Sequence, residues 1–163
     1  MAASPEPHDP YFDRPNRLPL PPIIFVTCLL AAYGLSVLWP LPAYLPPDLM
    51  RLKGALMLGA GLALVSASAM ALLRGRTTLL PNRATTHLVT DGPFAFSRNP
   101  IYLANALIMA GFGGMSSSPW YDLAAIVCLI LDDRLAVRRE EAHLAARFGE
   151  QWQAYAARVR RWL

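Results

Sequence analysis

Two short stretches hold most of the side chains able to do chemistry. The first runs Asp91-Gly92-Pro93-Phe94-Ala95-Phe96-Ser97-Arg98-Asn99-Pro100-Ile101-Tyr102; it opens on a turn signal and closes on a helix start. Pro100 fits the first helical turn, where its missing N–H costs nothing. Arg98 then stands beside helix-terminal N–H groups that lack intrahelical partners, a setting that suits a carboxylate or another anion, and it adds a bidentate donor of its own. Spacing alone favours a plainer role, an arginine anchoring the helix to phospholipid headgroups, with Tyr102 an ordinary interfacial aromatic. The second stretch is Arg138-Arg139-Glu140-Glu141. Its adjacent carboxylates and guanidiniums could bind a zwitterion such as an amino-acid moiety, or form a solvated face of weak Glu–Arg pairs.

The elements that must position these residues are apolar. Of the 163 residues 55% are hydrophobic and 16% charged, against roughly 25% charged in an ordinary soluble domain, so lipid is the expected solvent. The length allows one folding unit. Residues 1–22 are rich in proline and carry both signs of charge, which predicts a mobile, irregular cytoplasmic tail. Its acids Glu6, Asp9 and Asp13 and the late start of the apolar sequence speak against a cleavable signal peptide. Four apolar stretches follow, at about 23–39, 54–73, 101–115 and 120–131. The second offers 20 uncharged residues, enough at a 1.5 Å rise to cross a core of about 30 Å, whereas the third and fourth must borrow flanking residues. The run Gly113-Gly114-Met115-Ser116-Ser117-Ser118-Pro119 predicts a tight reversal that makes those two an antiparallel hairpin.

If all four stretches cross, 13 of the 15 Arg and Lys residues share one side and only Arg51 and Lys53 lie opposite. The positive-inside rule then predicts a multi-pass protein with cytoplasmic N- and C-termini, in a prokaryotic inner membrane or an organelle membrane, the former being preferred. The expected fold is all-α: a bundle of about four transmembrane helices followed by a C-terminal amphipathic helix over 134–163, with Gly149 bending or dividing it. Gly54, Gly59, Gly61, Ser66 and Ser68 predict close helix packing. The net charge of +4 reads as membrane topology, with the bilayer as partner, because the arginines flank apolar runs and form no basic patch for nucleic acid. Cys28 and Cys128 sit in apolar sequence without metal-ligand spacing. His87 and His143 read as surface or interfacial side chains, and Asp122, Asp132 and Asp133 as structural or topological groups.

Gly92-Pro93-Phe94, then Ser97-Arg98-Asn99-Pro100-Ile101-Tyr102-Leu103, Glu140-Glu141, Leu144, Phe148-Gly149 and Tyr155 resemble, in order and spacing, the isoprenylcysteine carboxyl methyltransferase and phospholipid methyltransferase superfamily. The resemblance covers about residues 79–163. It implies an integral membrane methyltransferase using S-adenosylmethionine, with Arg98, Asn99, Pro100 and Tyr102 lining the cofactor site, Glu140 and Glu141 closing it, and Leu103 and Arg139 as further contacts. Asn99 stands where the eukaryotic carboxyl methyltransferases usually have His. The resemblance also implies a cofactor pocket reached from the cytosol and an apolar or lipid-like methyl acceptor arriving from the bilayer.

Methyl transfer from a sulfonium is a direct displacement, in which alignment can supply about 7–11 kcal/mol of the barrier. Arg98, Glu140 and Glu141 are the candidate catalytic groups: Arg98 to orient an anionic acceptor or the cofactor carboxylate, either glutamate to take a proton from an amine. Acceptor carboxylate, thiol and amine all stay open. A four-helix scaffold without catalysis and a small-solute transporter are the alternatives, the latter wanting an ionisable group deep in a span.

Overall fold

The computed structural model describes residues 20–76 and 87–163. Among them lie six α-helices and no strand: α1 (Leu20–Leu38), α2 (Pro47–Arg74), α3 (Pro100–Ser116), α4 (Pro119–Asp132), α5 (Arg138–Phe148) and α6 (Glu150–Arg158). The expected all-α membrane bundle is the fold observed. Most of the predicted tail lies outside the described residues; its last residues, Leu20, Pro21 and Pro22, form the first turn of α1, where proline is tolerated. Of these helices α1 and α2 are long and apolar enough to cross a membrane.

Proline starts α2, α3 and α4, where each ring presets φ for the helix. Neighbouring helices run antiparallel, and α3 lies between α2 and α4. Its contact with α2 is nearly backbone on backbone. A Cβ on Gly54 would come within 2.5 Å of the Met115 nitrogen, and one on Gly61 within 2.9 Å of the Ala104 carbonyl. Gly111 is equally confined by Leu58. Such small-residue seams let dispersion and packing hold helices together where lipid removes the hydrophobic drive. Ser68 is also buried and returns its hydroxyl to the Leu64 carbonyl at 2.7 Å, whereas Gly59 and Ser66 face outward.

On the other side of α4, α1 contributes Ile24, Cys28 and Ala32 to a core completed by Met109 of α3 and Tyr121, Ala125 and Cys128 of α4. At the far end of the bundle Trp120 donates its indole N–H to the Trp39 carbonyl at 2.7 Å. Nearby, Lys53 pairs with Asp122 at 2.6 Å, and both hydrogen-bond the Tyr44 hydroxyl. The opposite end collects the start of α3 and the end of α4.

There α4 does not stop. Residues Asp133–Val137 make one π turn whose flanking backbone stays in the right-handed helical region, and α5 continues directly from it. The amphipathic helix expected over 134–163 is divided where expected and is corrected at its end. It is divided at Gly149, whose φ of +49° favours a residue without Cβ, and α6 ends at Arg158, leaving Val159–Leu163 non-helical.

Candidate functional site

The segment before α3 is held by the chain's last residues. The backbone N–H of Arg98 donates to the Arg160 carbonyl at 3.0 Å, and the Arg161 carbonyl accepts from Asn99 Nδ2 at 3.1 Å and Ser97 Oγ at 3.3 Å. Ser97 Oγ in turn accepts the Asn99 N–H at 3.1 Å. From α6, Tyr155 donates its hydroxyl to the Phe94 carbonyl at 2.7 Å; burial pushes that phenol up to about 12 against the pull of Arg98. Trp152 offers its ring face to the Arg98 guanidinium at 5.5 Å. Arg98 is thus fixed by backbone, by an aromatic face and by charge.

Its charge partner is Glu141. Arg98 Nη2 lies 3.3 Å from Glu141 Oε1, and Arg161 grips the same carboxylate at 2.6 and 3.1 Å. Arg161 also reaches Asp133 at 3.2 Å, and Asp133 accepts from Arg138 at 3.0 Å. These groups form one alternating network, in which each charge is offset by a neighbour.

Glu140 has different company. Its Oε1 accepts the Tyr102 hydroxyl at 2.7 Å, and no basic side chain among the described residues pairs with it. Burial, joined by the charges of Asp132 and Glu141, pushes Glu140 up to about 7, the phenol hydrogen bond working against them. Tyr102 projects from the first turn of α3 and packs against Ala136 and Val137 of the π turn, with Leu129 and Trp162 beside it.

Of the residues singled out in the sequence, Arg98, Tyr102, Glu140 and Glu141 meet here. Asn99 and Pro100 are buried next to them, Asn99 spent on the Arg161 carbonyl. Leu103 faces an apolar groove instead, and Arg139 is exposed and pairs with no described residue. His143, expected at a surface, is buried, because it lies on the inner side of α5. Sequence reasoning missed Arg161, Trp152 and Asp132 as members of the site. Asp132 is 1% exposed; among the described residues its Oδ2 has only the Cys128 thiol at 3.5 Å, and its Oδ1 has no hydrogen-bond partner. Arg98 Nε is likewise buried without a partner. The groove, about 430 Å³, runs between α2, α3 and α4; Leu64, Leu103, Leu107, Ile126 and Leu129 line it, with Leu163 among the lining residues as well.

A family profile described as phospholipid methyltransferase matches residues 49–151. The chain is 37% identical over 81 residues to a nickel-cobalt-cadmium resistance protein, NccN, of Alcaligenes xylosoxydans xylosoxydans, a match covering 49% of this chain and 37% of that protein. It is 32% identical over 103 residues to a cobalt-zinc-cadmium resistance protein, CzcN, of Cupriavidus metallidurans, covering 63% of this chain and 44% of the other. The chain therefore spans less than half the length of these relatives. No solved structure matches it.

Proposed function

The chain belongs to the phospholipid methyltransferase family, and from that premise we propose that it is an integral membrane methyltransferase that takes its methyl group from S-adenosylmethionine and gives it to an apolar, lipid-like acceptor. The observation that carries this reading is the meeting of Arg98, Tyr102, Glu140 and Glu141 at one end of the bundle, with Leu103 of the same α3 lining an apolar groove.

The residues present fit the cofactor's amino-acid end. Arg98 Nε is a buried donor without a partner, suited to a carboxylate. Glu140 uses one oxygen for Tyr102 and has the other for an ammonium. When bound, the cofactor supplies an electrophilic methyl carbon on a sulfonium. The chain's own part is positional: Glu141 and Trp152 hold Arg98, Tyr102 holds Glu140, and the segment Val159–Leu163 covers the cluster and excludes water. The acceptor's apolar portion lies in the groove, reached from the bilayer between α3 and α4.

In this reading α1, α2, α3 and α4 all cross the membrane, and the basic end faces the cytoplasm of a prokaryotic inner membrane. The decisive experiment is calorimetric titration of S-adenosylmethionine into the detergent-purified protein. Wild type should bind, and Glu140→Ala, shown by its thermal scan to be folded, should bind at least tenfold more weakly. A folded wild type that binds no cofactor overturns the proposal.

A further inference from the structure

The apolar groove has two ends, and they differ in chemistry. Leu103, Leu129 and Leu163 line the end that meets the polar cluster, where Leu129 packs against Tyr102. Ala110 of α3 and Asp122 of α4 line the end farthest from it. Asp122 is charged, unlike the leucines, alanines and isoleucine that line the rest. A carboxylate in the wall of an apolar groove within a membrane bundle is costly unless it is paired, and here it is paired across the groove.

Lys53 of α2 reaches over α3, which lies between α2 and α4, and holds both oxygens of Asp122 at 2.6 and 2.8 Å. Tyr44 donates its hydroxyl to Asp122 Oδ2 at 2.7 Å. The Lys53 and Asp122 side chains are 18% and 24% exposed. No passage runs beneath them: a Cβ on Gly113 would already lie 3.5 Å from Asp122 Oδ1, in ordinary contact. The three groups form a polar bar across the far end of the groove. An alkyl chain continuing past it has to part the ion pair and leave both charges unpartnered against apolar surroundings, which is strongly unfavourable.

The distance to the bar fixes a chain length. The lining runs from Leu103 to Ala110 on α3 and from Leu129 back to Asp122 on α4, in each case about 10 Å at a rise of about 1.5 Å per residue. An extended carbon chain advances about 1.3 Å per C–C bond of about 1.5 Å, so about eight to ten carbons fill the groove. We propose that Lys53, Asp122 and Tyr44 are specificity-determining residues that limit the acceptor's apolar tail to a medium-length chain. The inference rests on the methyltransferase reading, because it takes the groove as the acceptor's seat, and it narrows the acceptor class. A longer tail, with its head held at the cluster, must turn out sideways into the bilayer at the bar, and that bend works against the alignment that methyl transfer needs.

The test measures binding of tritiated n-decanol to the full chain in detergent micelles, corrected against protein-free micelles. Unlabelled n-decanol and n-hexadecanol compete at matched mole fractions in the micelle, and affinity for S-adenosylmethionine is measured in the same samples. Wild type should need at least fivefold more hexadecanol than decanol for half displacement. Lys53→Leu/Asp122→Leu, which removes both charges together, should bring the two competitors within twofold while cofactor affinity changes less than twofold. Ala110→Leu, which fills the groove below the bar, should weaken decanol binding at least fivefold. Equal displacement by both alcohols in wild type, or an undiminished ratio in the folded double variant, overturns the length limit and leaves the cofactor reading intact. So does a groove that a co-purified diacyl lipid holds against decanol. Length selection in a wild type that binds no cofactor upholds the bar and overturns the methyltransferase reading. If the double variant does not fold, the wild-type ratio and Ala110→Leu decide.

Discussion

Glu140 and Glu141 are neighbours in the chain with opposite surroundings. Glu141 lies between two guanidiniums, whereas Glu140 meets a phenol and buried apolar groups. Half-buried and paired with no cation among the described residues, Glu140 has its folded-state value raised to about 7 from 4.5. For an acid raised in this way, the penalty is absent below the unfolded value, grows as pH rises from about 4.5 to 7, and is complete above that. Glu140→Gln should therefore lack one component of the fall in melting temperature across this window, and parallel thermal scans of both proteins would read it as a difference that widens with pH. At this scale the sequence was informative where spacing is local. Arg98 to Tyr102 and the two glutamates were legible as chemical candidates, but Arg161, about 60 residues away, looks like one arginine among several in the tail. Only the folded path of Val159–Leu163 brings it to Glu141.

The helices were legible from apolar runs and, for α3, from the proline at its start, and the bounds of α3 and α4 differ from expectation by one residue. What periodicity did not reveal was which small residues of α2 face α3. Gly54 and Gly59 look alike in sequence, yet a Cβ at Gly54 would strike the α3 backbone while one at Gly59 meets nothing within 4 Å. Gly54→Val should accordingly destabilise the bundle by about 1–3 kcal/mol or more, the usual cost of overpacking. Gly59→Ala should be neutral or stabilise by up to about 1 kcal/mol, since alanine is the better helix former. Denaturation of the two variants in the same detergent compares them directly. His143 was misplaced for a similar reason: a polar residue in an amphipathic pattern is assigned outward, and the pattern cannot show that α5 packs its His143 side inward.

For the whole molecule, charge distribution and antiparallel packing point the same way. The Trp39, Lys53, Asp122 end carries two of the basic residues, Arg51 and Lys53, whereas α5, α6 and the Arg98 segment gather at the other. A single cysteine introduced at Tyr44 in a Cys28→Ser/Cys128→Ser background should react with a membrane-impermeant maleimide in intact cells. One at Gln151 should react only after the membrane is opened; the reverse pattern would invert the proposed orientation.

The π turn between α4 and α5 sets how the two ends of this molecule are related in angle. An α-helix advances about 100° per residue, so one residue accommodated in a wider turn rotates everything after it by about that amount relative to an uninterrupted helix. Before the turn, Ile126 and Leu129 point to the groove; after it, Glu140 points to Tyr102 and Glu141 to Arg98. Without the wider turn, the rod that lays its apolar stripe along the groove would carry its two glutamates about a quarter-turn out of phase with the arginine and tyrosine that receive them.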